Sequence, residues 1–596
     1  MIWNHKGTNV SDFIHPSMFF VACAILVCLL PGRIGRWLPI VAAALGIVCV
    51  LAMANGMFAQ VHYLGLTLGM GRVDALSRIF AHVFAIQALI GFIYALHVKD
   101  RWQHVAASMY IAGAFGCVFA ADFVTLFIFW ELMSVASTFL VWLNRAPAST
   151  RAGIRYFLFH ILGGLFLLGG MLLRFKATDS WAFSAVEPAA LQYYDYLIMI
   201  GFCVNAAVIP LHAWLPDAYP EATVTGAVFM SAFTTKTAVY VLLRAFSGSE
   251  LLAVMGTLMT IYGVIYATIE NNARRILAYH IVSQVGYMVA GVGVGTAMTV
   301  NGAAAHAYAH ILYKGLLFMG AGALLYSAGT AKLSELGGLF KRLPWVFIWY
   351  MVAAVSISGF PLFSGFVSKT MTITGAAEAH HPWLAAGMEF AAVGTFLSVG
   401  IKLPYFAWFG RPDPGIPLKP VPWNMYLAMG IAGFLCFFIG VYPNFLYHLL
   451  PNPVEYHPYT VWHVLQALLL LGFTGLGFYL LRRKLVPEAK INLDFDYFYR
   501  LIGRFMVGLA RFPVEALDNW WTDFYARAGL RGMMGFAGGS ARFDKAAIDG
   551  VVDGTAIGVR RVGGRAIGAQ TGRLQDYLTA AVILALAVFG VVWFAG

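Results

Sequence analysis

Charged side chains are scarce in this sequence. Lysine, arginine, aspartate and glutamate make up 11% of the 596 residues, and hydrophobic residues make up 60%. Soluble globular domains carry about 25% charged residues, so this composition excludes an ordinary soluble fold. Apolar runs long enough to cross a bilayer, at about 20 residues each, recur along nearly the whole chain. The sequence therefore predicts a membrane protein that crosses the bilayer many times.

Cysteine is also rare, and nothing in its arrangement indicates a metal cluster or a disulfide framework. The six cysteines lie within apolar runs and none forms a CxxC pair. The run GVGVGT at 291–296 lies inside an apolar span, with no preceding strand and no acidic residue placed as a dinucleotide fold requires. We therefore predict no cofactor, no metal and no catalytic residue, and we assign any redox chemistry to other subunits.

The apolar runs are continuous and do not alternate, which predicts an all-α fold with about 14 to 16 transmembrane helices. The first two spans are predicted at 16–30 and 37–57. The segment FAQVHYLGLTLGMGRVD that follows favours a hairpin over a helix. We divide the chain into N-terminal helices (1–100), a core of two inverted repeats (101–410), additional helices (411–481), a charged and aromatic segment (482–575) and a final helix (576–596).

The net charge of +12 reports topology and does not indicate nucleic-acid binding, because the basic residues lie in short loops between spans. Every second loop is basic: RIGR, HVKDR, NRAPASTRAGIR, ENNARR, FKRLP, FGRPD and LRRK. The positive-inside rule makes these loops cytoplasmic and places both termini outside, in a bacterial-type inner membrane. The N-terminus lacks the pattern of a removable signal peptide.

Residues 482–575 mix charges with aromatic side chains and contain no full span. The segment is predicted to be an amphipathic helix on the cytoplasmic side, lying along the membrane or a neighbour. A loosely structured basic linker that touches lipid headgroups remains the alternative.

Ionisable residues inside the apolar runs are the main functional signal, because each charged one costs about 3 kcal/mol in lipid. His306, His310 and Lys314 are spaced four and four, so they share one helix face. Such a series suits proton hopping. The remaining candidates are Glu131, His160, Lys236, Glu270, His280, Lys369 and Lys402.

Several of these residues also have simpler interpretations. Lys236 can snorkel or sit in a structural ion pair, and snorkelling also competes for Glu270 and Lys402. His160 and His280 are expected to be satisfied by a backbone carbonyl or a tyrosine.

Two prolines interrupt apolar sequence beside polar positions. Asn205 precedes Pro210, whereas Lys369 follows Pro361. This mirrored order is what two inverted repeats with broken helices produce.

Several motifs in order resemble the antiporter-like proton-conducting subunits shared by respiratory complex I and the Mrp sodium/proton antiporters. They cover about residues 70–410, and the resemblance within the family is to the D-type member of the Mrp antiporters. The motifs are WELMS, AAVIPLHAWLPDAYPEATVTGAV, TKTAVY, RRILAYHIVSQVGYM, HAYAHILYKGLLFMGAG and GFPLFSGFVSK. The tail also resembles the lateral-helix end of the largest complex I member.

The resemblance implies a role for each matching position. Glu131 would be the carboxylate that pairs with a basic group, and Lys236 a basic site in the eighth helix. The central relay would comprise His306, His310 and Lys314, followed by the exit-side Lys369 and by Lys402 one helix later.

One position departs from the family pattern KAAxxPLH, because Asn205 stands where the family has lysine. An amide is not protonated at physiological pH. Either Lys236 takes over as the partner of Glu131, which we favour, or the first half does not conduct and transmits conformational change.

We expect a proton-translocating subunit of a multisubunit membrane complex, with coupling to sodium as an option and with other membrane subunits and lipid as partners. The first rival is a secondary antiporter driven by ion gradients alone. The second is a non-conducting anchor that holds a soluble enzyme through residues 482–575.

Overall fold

The computed structural model of the chain describes residues 14–30, 32–63, 66–410, 412, 415–490, 492–544, 551–567 and 572–594. The prediction about a signal peptide concerns the N-terminus, of which residues 1–13 lie outside this set, as do Arg411 and parts of the tail. The chain divides into two compact units, residues 1–492 with 588–596 and residues 493–587.

The first unit opens with short apolar helices and a hairpin. The helices are α1 (Ser17–Leu29), α2 (Gly32–Gly35) and α3 (Leu38–Ala52). Strands β1 (Gly56–Tyr63) and β2 (Leu66–Val73) pair antiparallel, which confirms the predicted hairpin. The second predicted span was too long at its end: Met53 is extended, and Gly56 already pairs with Val73.

Helices make up the rest of the first unit. The earlier ones are α4 (Ala75–Ala95), α5 (Arg101–Phe119), α6 (Phe123–Trp142), α7 (Pro147–Thr178), α8 (Tyr193–Asn205), α9 (Trp214–Ala218), α10 (Val224–Met230), α11 (Thr234–Ala245) and α12 (Glu250–Ile269). The later ones are α13 (Ala273–Val294), α14 (Ala297–Ala328), α15 (Pro344–Ser358), α16 (Ser364–Glu378), α17 (Pro382–Thr395), α18 (Trp423–Val441), α19 (Asn444–Tyr447) and α20 (Val461–Leu481). Wider π-helical turns at Phe396–Lys402 and Tyr405–Phe409 extend α17.

The predicted all-α membrane fold is confirmed. Eleven helices in the described part of the chain are long and apolar enough to cross a bilayer, and three more are apolar but shorter. Together they reach the lower end of the predicted number of spans. Buried polar side chains concentrate in α11, α13, α14 and α16.

The order of elements from α6 to α8 recurs from α13 to α15. Asp122 caps α6 and forms an isolated β-bridge with Ala182, whereas Asn272 caps α13 and bridges Lys332 in the same way, 150 positions later in both partners (272 against 122, 332 against 182). Helices α7 and α14 each have 32 residues. The core is therefore built from two repeats.

The two repeats run in opposite directions. At the end of α6, Asn144 donates to the carbonyl of Glu221 at 2.9 Å. At the start of α13, Arg274 donates to the neighbouring carbonyl of Pro220, also at 2.9 Å. Helix α6 thus ends on the side where α13 begins, which is the inverted arrangement expected from the mirrored proline breaks.

Each repeat contains a helix that stops inside the core. Helix α8 ends at Asn205, and Pro210 lies in the non-helical segment before α9. Helix α15 ends at Ser358, and Pro361 lies in the gap before α16. Both gaps hold a non-glycine residue in the left-handed region, Ala207 (φ 55°) and Leu362 (φ 75°). This conformation costs about 1–3 kcal/mol at each residue, so surrounding packing must hold the gaps open.

The second unit is helical over its described residues. Its helices are α21 (Asp496–Leu509), α22 (Glu515–Phe524), α23 (Arg531–Asp544) and α24 (Val551–Ile567), with π-helical turns joining the first three. Large apolar side chains such as Phe505, Trp520 and Phe536 are exposed along them. Helix α25 (Leu574–Phe594) is the predicted final apolar helix.

Candidate ion-conducting site

Helix α14 carries the central series of basic side chains. His306, His310 and Lys314 are all fully buried, and the two imidazole rings lie 6.2 Å apart between centroids. Small residues dominate this helix (AAAHAYAH, KGLLFMGAGA), so neighbouring helices approach closely. At Gly315, a Cβ atom would lie 2.6 Å from the amide nitrogen of Gln87 on α4. The series is therefore enclosed by protein and does not face lipid.

His306 connects α14 with three other helices. Its Nδ1 lies 3.2 Å from the Ser368 hydroxyl on α16, and its Nε2 lies 3.4 Å from the Tyr313 hydroxyl. Tyr313 donates to Gln284 on α13 at 3.4 Å, and the Gln284 amide donates to Thr395 on α17 at 3.4 Å. These groups form a polar network that runs across the second repeat.

His310 and Lys314 differ from His306, because neither ring nitrogen of His310 nor the Lys314 ammonium has a hydrogen-bond partner within the described residues. Buried polar groups are almost always hydrogen-bonded, to protein or to water. Leaving one unsatisfied costs about 1–3 kcal/mol. Within the described residues, the packing of the core offers these two side chains no hydrogen bond that would offset this cost.

Three other lysines share one kind of partner, a carbonyl freed where a helix ends. Lys236 donates to the carbonyl of Ser231 at 2.6 Å and to the Thr235 hydroxyl at 3.0 Å, at the interruption between α10 and α11. Lys369 donates to the carbonyl of Ile357 at 2.8 Å, near the end of α15. The last carbonyls of a helix have no intrahelical donor and carry partial negative charge. The broken helices therefore stabilise ammonium groups without a carboxylate.

Lys402 follows the same rule at the end of α12. Its ammonium donates to the carbonyls of Thr268 at 2.5 Å and Glu270 at 3.0 Å, and the residue is 2% exposed. The Glu270 carboxylate accepts from the backbone N–H of Asn271 at 2.8 Å. Neither side chain snorkels to an exposed position, the simpler interpretation considered above.

The lysines at the breaks flank α14, which packs against both α11 and α16. Lys236 lies within electrostatic range of His306, His310 and Lys314. Lys369 lies within range of the same three side chains, and its ammonium sits 5.0 Å from the ring centroid of Tyr287. The structure thus brings Lys236, the histidine series and Lys369 into one cluster.

Glu131 lies apart from this cluster and forms no ion pair with Lys236. It is half-buried on α6, where its Oε1 has no partner among the described residues and faces Gly164 of α7. Lys236 uses its donors on Ser231 and Thr235 instead. Asn205 is fully buried at the end of α8, and both of its amide atoms lack a partner within the described chain.

The two lone histidines have different surroundings. His160 places Nδ1 2.9 Å from the carbonyl of Tyr156 and stacks on that ring, which is the expected contact with a backbone carbonyl, and its Nε2 has no partner within the described residues. His280 instead lies 2.6 Å from the Ser398 hydroxyl, through Nε2. Ser398 belongs to the π-helical turn that ends at Lys402. The contact with Ser398 therefore links His280 to the segment that carries Lys402.

The sequence interpretation missed the uncharged members of the network. Gln284 and Tyr287 follow His280 by four and seven positions, so helical spacing places all three on one face of α13. That signal was available. The position of Gln87 was not, because only the packing of α4 on α14 brings its amide against Gly315, and neither atom of that amide has a hydrogen-bond partner within the described residues.

The fold is that of a polytopic membrane protein in which two inverted repeats place broken helices around buried basic side chains. Residues 120–397 match the family described as "NADH:quinone oxidoreductase/Mrp antiporter, TM". The match covers 278 of the 596 residues (120 to 397).

Two relatives and one solved structure illustrate the similarity. The D-type subunit of a sodium/proton antiporter from Alkalihalophilus pseudofirmus is 30% identical over 318 residues, which are 50% of this chain and 64% of the relative. The A/B-type subunit of a probable potassium/proton antiporter from Rhizobium meliloti is 26% identical over 501 residues, which are 75% of this chain and 50% of the relative. The chain therefore spans less than two thirds of either protein.

The Mrp complex from Dietzia sp. contains a chain with the same fold. The two superpose with a TM-score of 0.64 and 21% identity, over 78% of this chain and 98% of the other. This similarity shows the fold.

Proposed function

We propose that the chain is a proton-translocating subunit of a multisubunit membrane complex. Protons would move between Lys236, His306, His310, Lys314 and Lys369, with water bridging the gaps. The observation that carries the proposal is that His310 and Lys314 are buried at the centre of the cluster without a hydrogen-bond partner in the described chain. A scaffold gains nothing from this arrangement, whereas a relay requires groups that can accept and release a proton.

Lys236 supports a continuous path through the cluster. It belongs to the first repeat, yet it lies within electrostatic range of the series on α14 in the second. With Asn205 in place of a basic side chain, we propose that Lys236 delivers protons to α14 and that Glu131 acts on it through water, without a direct ion pair. Lys402 and Glu270 would connect this proton path to the side of the molecule where α12 ends.

The orientation of the path follows from the basic loops. Arg145, Arg151 and Arg155 lie at the junction of α6 and α7, and Arg274 and Arg275 lie at the start of α13. Both sites lie on one side of the molecule, since Asn144 and Arg274 bond to adjacent carbonyls. We propose that this side is cytoplasmic in a bacterial-type inner membrane and that the N-terminus lies outside.

The relatives above are named as components of antiporters, so we propose exchange of protons for a monovalent cation, with sodium as the first candidate. The cation would then cross the membrane in the direction opposite to the proton. Other membrane subunits of the same complex would be the partners.

The test uses the native complex reconstituted in proteoliposomes, with pH-gradient formation recorded in the presence and absence of sodium. Lys314→Ala should assemble with its partners and lose proton movement. Lys332→Ala is the matched control, because the Lys332 side chain is 56% exposed and pairs with Glu335 at 2.8 Å. Full activity of Lys314→Ala in an assembled complex would favour the anchor, and sodium dependence would favour the antiporter.

A further inference from the structure

A cavity of ≈ 70 Å³ lies beside Lys369, between α16, α17 and α20. One water needs about 10–15 Å³ of such space, so the cavity has room for several. Its polar lining includes Lys369, Thr374, Glu389, His463 and Gln466. Two of these residues lie on α20, beyond residues 120–397 that match the family.

The ionisable groups of this cavity lie at graded depths. Helix α16 ends at Glu378, and α17 and α20 begin at Pro382 and Val461, so all three meet one face of the molecule. At 1.5 Å of rise per residue, Lys369 lies about 13 Å from its helix end, Glu389 about 10 Å and His463 about 3 Å. Burial agrees at the inner end, since Lys369 is 3% exposed whereas Glu389 and His463 are both half-buried.

Contacts prepare the two outer groups for proton exchange. Gln466 donates to Oε1 of Glu389 at 2.6 Å, which fixes the carboxylate in the cavity wall. His463 places Nδ1 3.2 Å from the carbonyl of Pro458. A carbonyl only accepts hydrogen bonds, so Nδ1 carries the proton of the neutral ring and Nε2 is the atom able to take up another.

We propose that this cavity is the aqueous vestibule through which Lys369 exchanges protons with the face where α16 ends, with Glu389 and His463 as successive carriers and Gln466 as a positioning residue. The Lys369 ammonium loses a proton through water to the Glu389 carboxylate and becomes a neutral amine. The carboxylic acid passes the proton to Nε2 of His463, and the imidazolium releases it to water. The reverse sequence serves uptake. This inference rests on the proposed function.

The first test measures water access independently of transport. Thr374 lines the cavity, whereas Thr372 lies fully buried on the same helix against Gly302 of α14. In the native complex in sealed vesicles, Thr374→Cys should react with a membrane-impermeant methanethiosulfonate from one face only. Thr372→Cys should stay at the background set by the six native cysteines. An unreactive Thr374→Cys from both faces would overturn the vestibule.

The second test measures proton movement in reconstituted native complex. The double variant Glu389→Gln with His463→Gln should lower the initial rate about tenfold, less than the about 100-fold effect of a positioned proton-transfer group, because water replaces part of the relay. It should also lose the part of the pH dependence that protonation of an imidazole confers. The control Glu378→Gln removes an exposed carboxylate at the end of the same α16 and should leave rate and profile unchanged.

The outcomes separate the two proposals. A wild-type complex that moves no protons refutes the proposed function, whatever the labelling shows. An active wild type whose double variant keeps both rate and pH profile overturns the vestibule alone. One-sided labelling together with the loss in the double variant supports it.

Discussion

Replacing Lys314 with methionine should stabilise the protein while it abolishes proton movement. The Lys314 ammonium is fully buried and has no hydrogen-bond partner in the described chain, so the substitution breaks no hydrogen bond to another residue. An unsatisfied buried polar group costs about 1–3 kcal/mol, and methionine fills nearly the same volume. We therefore expect a gain in the free energy of unfolding of about 1–3 kcal/mol.

Lys369→Met provides the internal comparison. Its ammonium donates to the carbonyl of Ile357 at 2.8 Å. The substitution removes a bonded donor and leaves that carbonyl unsatisfied near the break, so it should lower the free energy of unfolding by about 1–3 kcal/mol. Lys332→Met, at an exposed lysine, should change stability by about 0.5 kcal/mol or less.

The assay is unfolding of the purified complex by graded SDS in mixed micelles, followed by near-ultraviolet circular dichroism. The expected order of midpoints is Lys314→Met above wild type, Lys332→Met close to wild type and Lys369→Met below it. A Lys314→Met variant that is destabilised by about 1 kcal/mol or more would refute the reasoning, because it would mean that the ammonium makes a stabilising contact in the folded state.

Three further predictions concern other parts of the first unit. Gly164→Ala would place a Cβ 2.2 Å from Oε1 of Glu131, so it should displace the flexible carboxylate and lower the proton-transfer rate at little cost in stability. The control is Gly169→Ala on the same helix, whose Cβ would have no neighbouring atom within 4 Å and which should leave the rate unchanged. Ser398→Ala removes the hydroxyl 2.6 Å from His280 Nε2 and should lower the SDS midpoint by the equivalent of about 1–3 kcal/mol. Ser247→Ala should not, because this half-buried serine lies just past the end of α11 and donates to the carbonyl of Leu243, four residues before it. Burial raises the pKa of Asp74 at the start of α4, but the hydrogen bond and charge of Arg244 outweigh burial and hold that pKa below its ordinary value of 3.8. The ionised carboxylate therefore stabilises the fold above pH 3.8, and this contribution disappears as the pH falls through the lower pKa of the folded state. Asp74→Asn should flatten the acid limb of a stability profile measured between about pH 5 and pH 2.

Sequence patterns were sufficient for the fold because they act locally. Continuous apolar runs predicted the helices, and alternation with glycine predicted the hairpin of Gly56–Val73. The four-residue spacing of His306, His310 and Lys314 predicted one helix face, and the structure has them on α14. Each of these features depends on residues close together in the chain.

Partners across helices did not follow from the sequence. Spacing gave no means to see that Lys236 bonds the carbonyl of Ser231 and forms no pair with Glu131. Nor did spacing show that Gln466 of α20 donates a hydrogen bond to the carboxylate of Glu389. Carbonyls freed at a helix break are invisible as residue types, so ammonium groups that depend on them look unpaired in the sequence.

Neighbouring basic groups on α14 repel each other when both carry a proton. His310 and Lys314 are one turn apart, which is about 6 Å along the helix axis. At an effective dielectric constant of about 20, two unit charges at that distance repel by about 3 kcal/mol, a factor of about 100 in occupancy. No carboxylate forms a salt bridge with either side chain within the described residues to cancel this repulsion. A proton that reaches one site therefore favours release from the next, so the absence of acidic partners at the centre of the cluster promotes transfer along it, whereas an ion pair would hold the proton in place.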